Sequence, residues 1–150
     1  MKLVLDTNVV ISAILRNSAT RQLLVHPALE LYAPDHLFEE IEEHKDEILE
    51  KAGITTAEFV KFVSSLEKLV KILPRRAYAE FLDEAKTAIA DPDDAPFLAA
   101  AMALGAPSGK EGDCDIWTSD KHFLAKQGEL FQKYGVKILK TGDLLALLRK

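Results

Sequence analysis

Lys2-Leu3-Val4-Leu5-Asp6-Thr7-Asn8-Val9 is the stretch that decides the fold. Its short apolar run ending in an acid reads as a buried strand, and Val9 to Leu15 continues as a helix with no room for a loop between them. A strand fed directly into a helix is a βα unit, the connection that parallel strands require. An acid at the end of a buried strand costs free energy unless it is paired or holds a cation. Asp6 is therefore a functional candidate on position alone.

The same alternation runs through the chain. Thr20 to Val25 reads as a second helix, and Leu29 to Ala33 as a strand that Pro34 terminates. Asp35 to Glu50 carries Leu37, Ile41 and Ile48 at helical spacing among acids, which predicts one amphipathic helix. Thr55 and Glu58 stand at capping-box spacing before a helix reaching Leu69. Val70 to Leu73 reads as the third strand, and Ala79 to Ala90 as a helix. The turn-rich Asp91-Pro92-Asp93-Asp94 then leads into a very apolar helix, Phe97 to Leu104. Gly105 to Gly112 reads as a mobile loop and Ile116 to Thr118 as the fourth strand, which Asp115 would precede. Asp120 to Gln127 reads as a helix ended by Gly128, Val136 to Leu139 as the fifth strand, and Thr141 to Arg149 as a last helix. Strands separated by helices predict an α/β fold, a three-layer α/β/α sandwich on a mostly parallel sheet.

Composition sets the outer limits. The 150 residues suit a single domain over 1–150, and 48% hydrophobic with 29% charged residues is a globular balance. Cys114 is the only cysteine, so an intramolecular disulfide and a cysteine-rich zinc site are both excluded. A formal net charge of −5 argues against a broad basic surface for duplex DNA or anionic membrane. With no apolar stretch of spanning length and no signal-peptide pattern, no membrane association and a cytoplasmic location are expected.

Ligands of an open parallel sheet bind beyond the carboxyl ends of its strands. Asp6 ends strand one and Asp120 follows strand four, so both project to that edge. Glu40 lies early in the helix after strand two, where side chains lean back toward the strand ends, although Glu39 and Glu43 compete with it. Asp94 is marked only by the acids around it, Asp91 and Asp93. Clustered carboxylates repel unless a proton or a cation sits among them, and an all-oxygen site suits Mg²⁺ or Mn²⁺. Such an ion lowers the pKa of water and polarises a phosphoryl oxygen, the chemistry of phosphodiester hydrolysis.

The ordered set Asp6-Thr7-Asn8, Glu40, Asp91-Pro92-Asp93-Asp94 followed by Phe97-Leu98-Ala99-Ala100-Ala101, and Thr118-Ser119-Asp120 resembles the PIN-domain ribonuclease family over essentially the whole chain. The resemblance implies a five-stranded parallel sheet and a Mg²⁺- or Mn²⁺-dependent endonuclease acting on single-stranded RNA; single-stranded or structured RNA is the expected partner. It implies metal-carboxylate roles for Asp6, Glu40, Asp94 and Asp120, with Asn8, Thr118, Ser119 and Asp91 supporting the site or positioning substrate. It also implies a homodimer and, for a VapC-like toxin, an antitoxin protein as partner.

Plainer roles compete for several of these residues. Asp94, Asp120 and Asn8 are all good helix caps. His36 and His44, two turns apart, read as surface residues, Trp117 as core, and Leu144 to Leu148 as packing or dimer surface. Two other functions stand beside the nuclease. One is a catalytically inactive PIN-like module that binds RNA or docks a protein. The other is an aspartate-nucleophile phosphatase, which wants a second Asp where this chain has Asn8.

Overall fold

The computed structural model describes residues 1–105 and 113–149, and is built on one five-stranded sheet of order β3-β2-β1-β4-β5. The elements in chain order are β1 (Lys2–Leu5), α1 (Thr7–Ile14), α2 (Ser18–Leu24), β2 (Glu30–Pro34), α3 (His36–Glu43), α4 (Lys45–Ala52), α5 (Thr56–Leu69) and β3 (Val70–Leu73). They continue with α6 (Arg75–Tyr78), a 3-10 turn at Ala79–Phe81, α7 (Leu82–Ala88), α8 (Ala95–Gly105), β4 (Cys114–Trp117), α9 (Lys121–Ala125), α10 (Gln127–Tyr134), β5 (Ile138–Leu139) and α11 (Thr141–Leu148). All pairings are parallel, with Leu3 opposite Leu31 on one side and Asp115 on the other. The sheet is thus wholly parallel, a stricter form of the architecture expected.

Burial explains the layering. Leu3, Val4 and Leu5 are successive residues pointing to alternate faces, and each is fully buried. So are Ile116 and Trp117, which means helices cover both faces of the central strands. Right-handed crossovers carry the chain outward from β1 to β3 along one face, so the return to β4 runs over the other. On that return α8 packs against β1, β2 and β4, with Phe97, Leu98, Ala99 and Ala100 wholly buried. A helix apolar on every side can be stable only when enclosed in this way. Because the chain leaves β1 toward β2 while β4 lies on the other side, a topological switch point opens at the carboxyl ends of β1 and β4.

Several boundaries differ from the sequence reading, for physical reasons. The helix expected over Asp35 to Glu50 is broken at His44 (φ −98°, ψ 7°) into α3 and α4. A continuous helix would set Glu42 against Asp46 and Glu43 against Glu47 at like-charge i,i+4 spacing. The break instead puts Asp46 and Glu47 in the first turn of α4, where the helix dipole favours acids. The helix expected from Ala79 starts directly after Pro74 and is divided by the 3-10 turn. Gly128 does not end a helix but lies within α10, and the left-handed cap is Gly135 (φ 69°). β4 begins at Cys114, so Asp115 lies inside the strand; its carboxylate accepts the Lys137 N–H at 2.9 Å, ahead of β5. α1 begins at Thr7 with Asp6 as its N-cap, which leaves Asn8 inside the first turn instead of at the cap. The capping box at Thr55 and Glu58 is formed as expected. The loop assigned to Gly105 to Gly112 lies outside the described residues from 106 onward. No described helix is long and apolar enough to cross a membrane.

Trp117 anchors the join between sheet and site. It is fully buried on β4, and its indole N–H donates to Thr141 Oγ1 at 3.1 Å. Trp117→Ala is expected to lower unfolding free energy by roughly 3–5 kcal/mol, read as a fall in the urea midpoint at unchanged m-value.

Candidate functional site

The site is assembled at the carboxyl edge of the central strands. Asp6 follows β1 and is 4% exposed. Its Oδ1 accepts the Thr7 N–H at 2.7 Å and its Oδ2 accepts the Thr118 hydroxyl at 2.6 Å. Thr118, fully buried after β4, uses the same oxygen to accept the Asp120 N–H at 2.9 Å. One hydroxyl therefore fastens the end of β1 to the turn that carries Asp120. Asp120 caps α9 by accepting the His122 N–H at 2.7 Å, so capping and membership of the site are compatible.

Asp94 closes the cavity from the start of α8. Its backbone carbonyl accepts from Phe97 and Leu98, but among the described residues its carboxylate accepts no capping bond. Oδ2 is buried without a hydrogen-bond partner in a residue only 6% exposed. One carboxylate oxygen from each of Asp6, Asp94 and Asp120 lies within 4.8 Å of the others. A plain helix cap does not account for Asp94.

Glu40, on α3, faces the same cavity and stands outside that triad. Its Oε1 accepts the Thr7 hydroxyl at 2.7 Å, whereas Glu39 pairs with His36 at the surface and Glu43 is exposed. Thr7 thus selects Glu40 from the three competing glutamates. Asn8 lines the cavity and its Oδ1 is buried without a partner. Asp91 lines it too, with Oδ1 accepting the Asp93 N–H at 3.0 Å in a tight turn. Ser119 is exposed and does not line the cavity. Thr7, Ile11, His44 and Asp93 complete a lining that encloses about 280 Å³.

The electrostatics follow from crowding. Burial, then repulsion by Asp120, Asp6, Asp91 and Glu40, raises the Asp94 carboxyl to about 8. Burial raises Asp6 to about 6 against the opposing pull of the Thr118 and Thr7 donors, with Asp120 and Asp91 adding repulsion. Burial also raises Glu40, opposed by the Thr7 hydroxyl and His36. Among the described residues no Lys or Arg pairs with these acids; the basic side chains within 4 Å of them are the imidazoles of His36 and His122. Negative charge held together without a counter-charge, with an orphaned buried oxygen at its centre, fits a divalent cation bound by oxygen ligands.

Compared with known families, the sequence matches the PIN domain over residues 4–144. The chain belongs to the PIN-domain family. No curated protein sequence matches it significantly. Among solved structures, this PIN domain is similar to a chain of VapBC2 from Rickettsia felis bound to a DNA fragment from their promoter. The TM-score is 0.61 at 13% identity, covering 93% of this chain and 98% of that chain, a likeness of fold.

Two readings of the PIN domain change with the structure in view. His36 is only partly exposed: its side chain is 21% accessible, packs edge-on to Phe97 and places Nε2 3.7 Å from Asp93 Oδ1. His122, which periodicity gave no reason to single out, brings Nδ1 within 3.5 Å of Asp94 Oδ2. The available signal was its place in the first turn of α9, where side chains lean back toward the helix start and hence toward Asp120. Thr118→Val keeps the shape at that position while removing the donor to Asp6 and the acceptor for Asp120. Divalent-ion affinity measured by calorimetry is expected to fall about 10–100-fold, with the thermal transition still cooperative.

Proposed function

We propose that this PIN domain is a divalent-metal-dependent endoribonuclease that hydrolyses phosphodiester bonds of single-stranded RNA. The observation that carries the reading is the unpartnered, buried Oδ2 of Asp94 inside the three-carboxylate cluster with Asp6 and Asp120. Those three carboxylates, with Glu40 beside them, would hold Mg²⁺ or Mn²⁺. The bound ion supplies Lewis-acid polarisation of a phosphoryl oxygen and raises the nucleophilicity of water at neutral pH, in a cavity whose lining contains no Lys or Arg.

The protein's own contribution is placement. Thr118 fixes Asp6 and the Asp120 turn in one arrangement, so the two carboxylates need not reorganise on loading. Thr7 holds Glu40 in the same cavity, available to accept a proton from an incoming water. Asn8, with a buried amide oxygen free of partners, positions substrate or solvent in the cavity. Arg16, Arg21, Arg75, Arg76 and Lys121 are not part of the cavity lining, and any contact they make with RNA is made from outside it.

The reading extends to a VapC-like toxin with an antitoxin protein as partner, supported by the likeness in fold to a chain of VapBC2, and, on the family resemblance alone, to a homodimeric state. The test is incubation of a 5′-labelled single-stranded RNA with metal-stripped protein, then with Mn²⁺, Mg²⁺ or EDTA. Cleavage only with metal, leaving 5′-phosphate and 3′-hydroxyl ends, is the expected result. Metal-independent RNA retention without cleavage would favour the inactive binding module, and a trapped phospho-aspartate at Asp6 the phosphatase.

A further inference from the structure

His122 Nδ1 is buried without a hydrogen-bond partner although three carboxylate oxygens surround it. It lies 3.2 Å from Asp120 Oδ1, 3.5 Å from Asp94 Oδ2 and 3.9 Å from Asp91 Oδ2, none at hydrogen-bonding geometry. The imidazole nitrogen and three carboxylate oxygens converge on one point, an arrangement that is unfavourable unless a proton or a cation lies between them. Ligands about 2.1 Å from a shared six-coordinate ion stand roughly 3.0 Å apart when adjacent and about 4.2 Å apart when opposite. The 3.5 and 3.9 Å separations of Nδ1 from Asp94 and Asp91 fall in that window.

Asp91, Asp94 and His122 also form a ligand-competent group in which every contributing atom lies within 4.8 Å of the others. Asp94 is shared with the all-carboxylate triad, and its unpartnered Oδ2 lies 3.5 Å from His122 Nδ1. Asp120 Oδ1 is already engaged as the cap of α9, which leaves Asp91 and Asp94 as the oxygens free to join the imidazole.

We infer that Asp91, Asp94 and His122 make a second divalent-cation position, and that the imidazole gives this protein a preference for first-row transition ions such as Mn²⁺ and Co²⁺ over Mg²⁺. Mg²⁺ demands oxygen and parts reluctantly with water, whereas imidazole nitrogen suits the transition ions increasingly from Mn²⁺ toward Co²⁺ and Ni²⁺. The neutral ring would carry its proton on Nε2 and present Nδ1 to the ion. This inference rests on the metal reading of the neighbouring triad, with which it shares Asp94.

The test uses the full chain stripped of metal and reloaded with Mn²⁺, examined by electron spin-echo envelope modulation for a directly bonded ¹⁴N. Wild type and His36→Ala are expected to show the nitrogen coupling, and His122→Ala to lose it. The His122 side chain is 41% exposed, so its removal leaves the core intact. By calorimetry, His122→Ala should weaken Co²⁺ and Mn²⁺ binding about tenfold or more, as loss of a metal-site partner does, and change Mg²⁺ binding less than twofold. Mn²⁺ bound without nitrogen coupling, or coupling that survives in His122→Ala, overturns the inference and leaves the carboxylate triad standing; His122 would then be an imidazolium ion-paired to the acids. Failure of wild type to bind Mn²⁺ at all overturns both.

Discussion

Asp94→Asn is expected to slow metal-dependent RNA cleavage by about a thousandfold, equivalent to roughly 4 kcal/mol of transition-state stabilisation, and Asp6→Asn by a similar factor. The amide preserves the size of the side chain but removes the charge that draws a cation into the cavity. Asp94 lies where all the surrounding acids converge, and its Oδ2 has no competing hydrogen bond, so its loss is not compensated locally. Asp6→Asn also disturbs the Thr118 hydroxyl, which would then face either an amide N–H or a neutral oxygen. Rates under saturating Mn²⁺, measured on protein that still unfolds in one cooperative transition above the assay temperature, separate loss of chemistry from loss of fold. Full activity in either variant would remove the carboxylates from the mechanism.

The second large effect is on stability. In the metal-free fold the Asp94 and Asp6 carboxyls are raised to about 8 and about 6 from an ordinary value near 3.8. Between pH 4 and pH 8 the folded chain therefore keeps protons that the unfolded chain has released, and stability must fall as pH rises through that window. A divalent ion takes the place of those protons. At a hundredfold excess over its Kd it adds about 2.7 kcal/mol, or roughly 5–10 °C for a chain of this size. Mn²⁺ should accordingly raise Tm most at pH 8 and little at pH 5, and EDTA should abolish the rise. Asp94→Asn should melt higher than metal-free wild type at pH 8, because a buried charge has been removed, and should lose most of the response to Mn²⁺. The same substitution that destroys activity is thus expected to stabilise the metal-free protein.

The parallel architecture was legible because strand and helix periods alternate without interruption from Lys2 onward, and Asp6 stood out because nothing apolar excuses an acid there. Asp120 followed from the same edge rule. Asp94 was harder, since a residue opening a helix lies at either edge, and its dense acidic setting was the only mark; the tertiary placement of α8 across β1, β2 and β4 decides the matter. The choice of Glu40 over Glu39 and Glu43 leaned on the family resemblance, because helical spacing leaves the three open without knowing that Thr7 reaches across from α1. The breaks at His44 and Lys126 were hidden for a different reason. Neither carries the Gly or Pro that usually marks a helix end, and each doubles as the start of the next helix. Ser119 was placed at the site by its motif neighbours, while its side chain turns to solvent.

Anomalous scattering from crystals of the protein grown with Mn²⁺ tests the central claim most directly. The account predicts a peak within about 2.2 Å of carboxylate oxygens from Asp6, Asp94 and Asp120, absent from Asp94→Asn crystals grown in the same solution. A fully ordered cavity with no peak at saturating Mn²⁺, or an ion bound only at acids elsewhere on the surface, would contradict it.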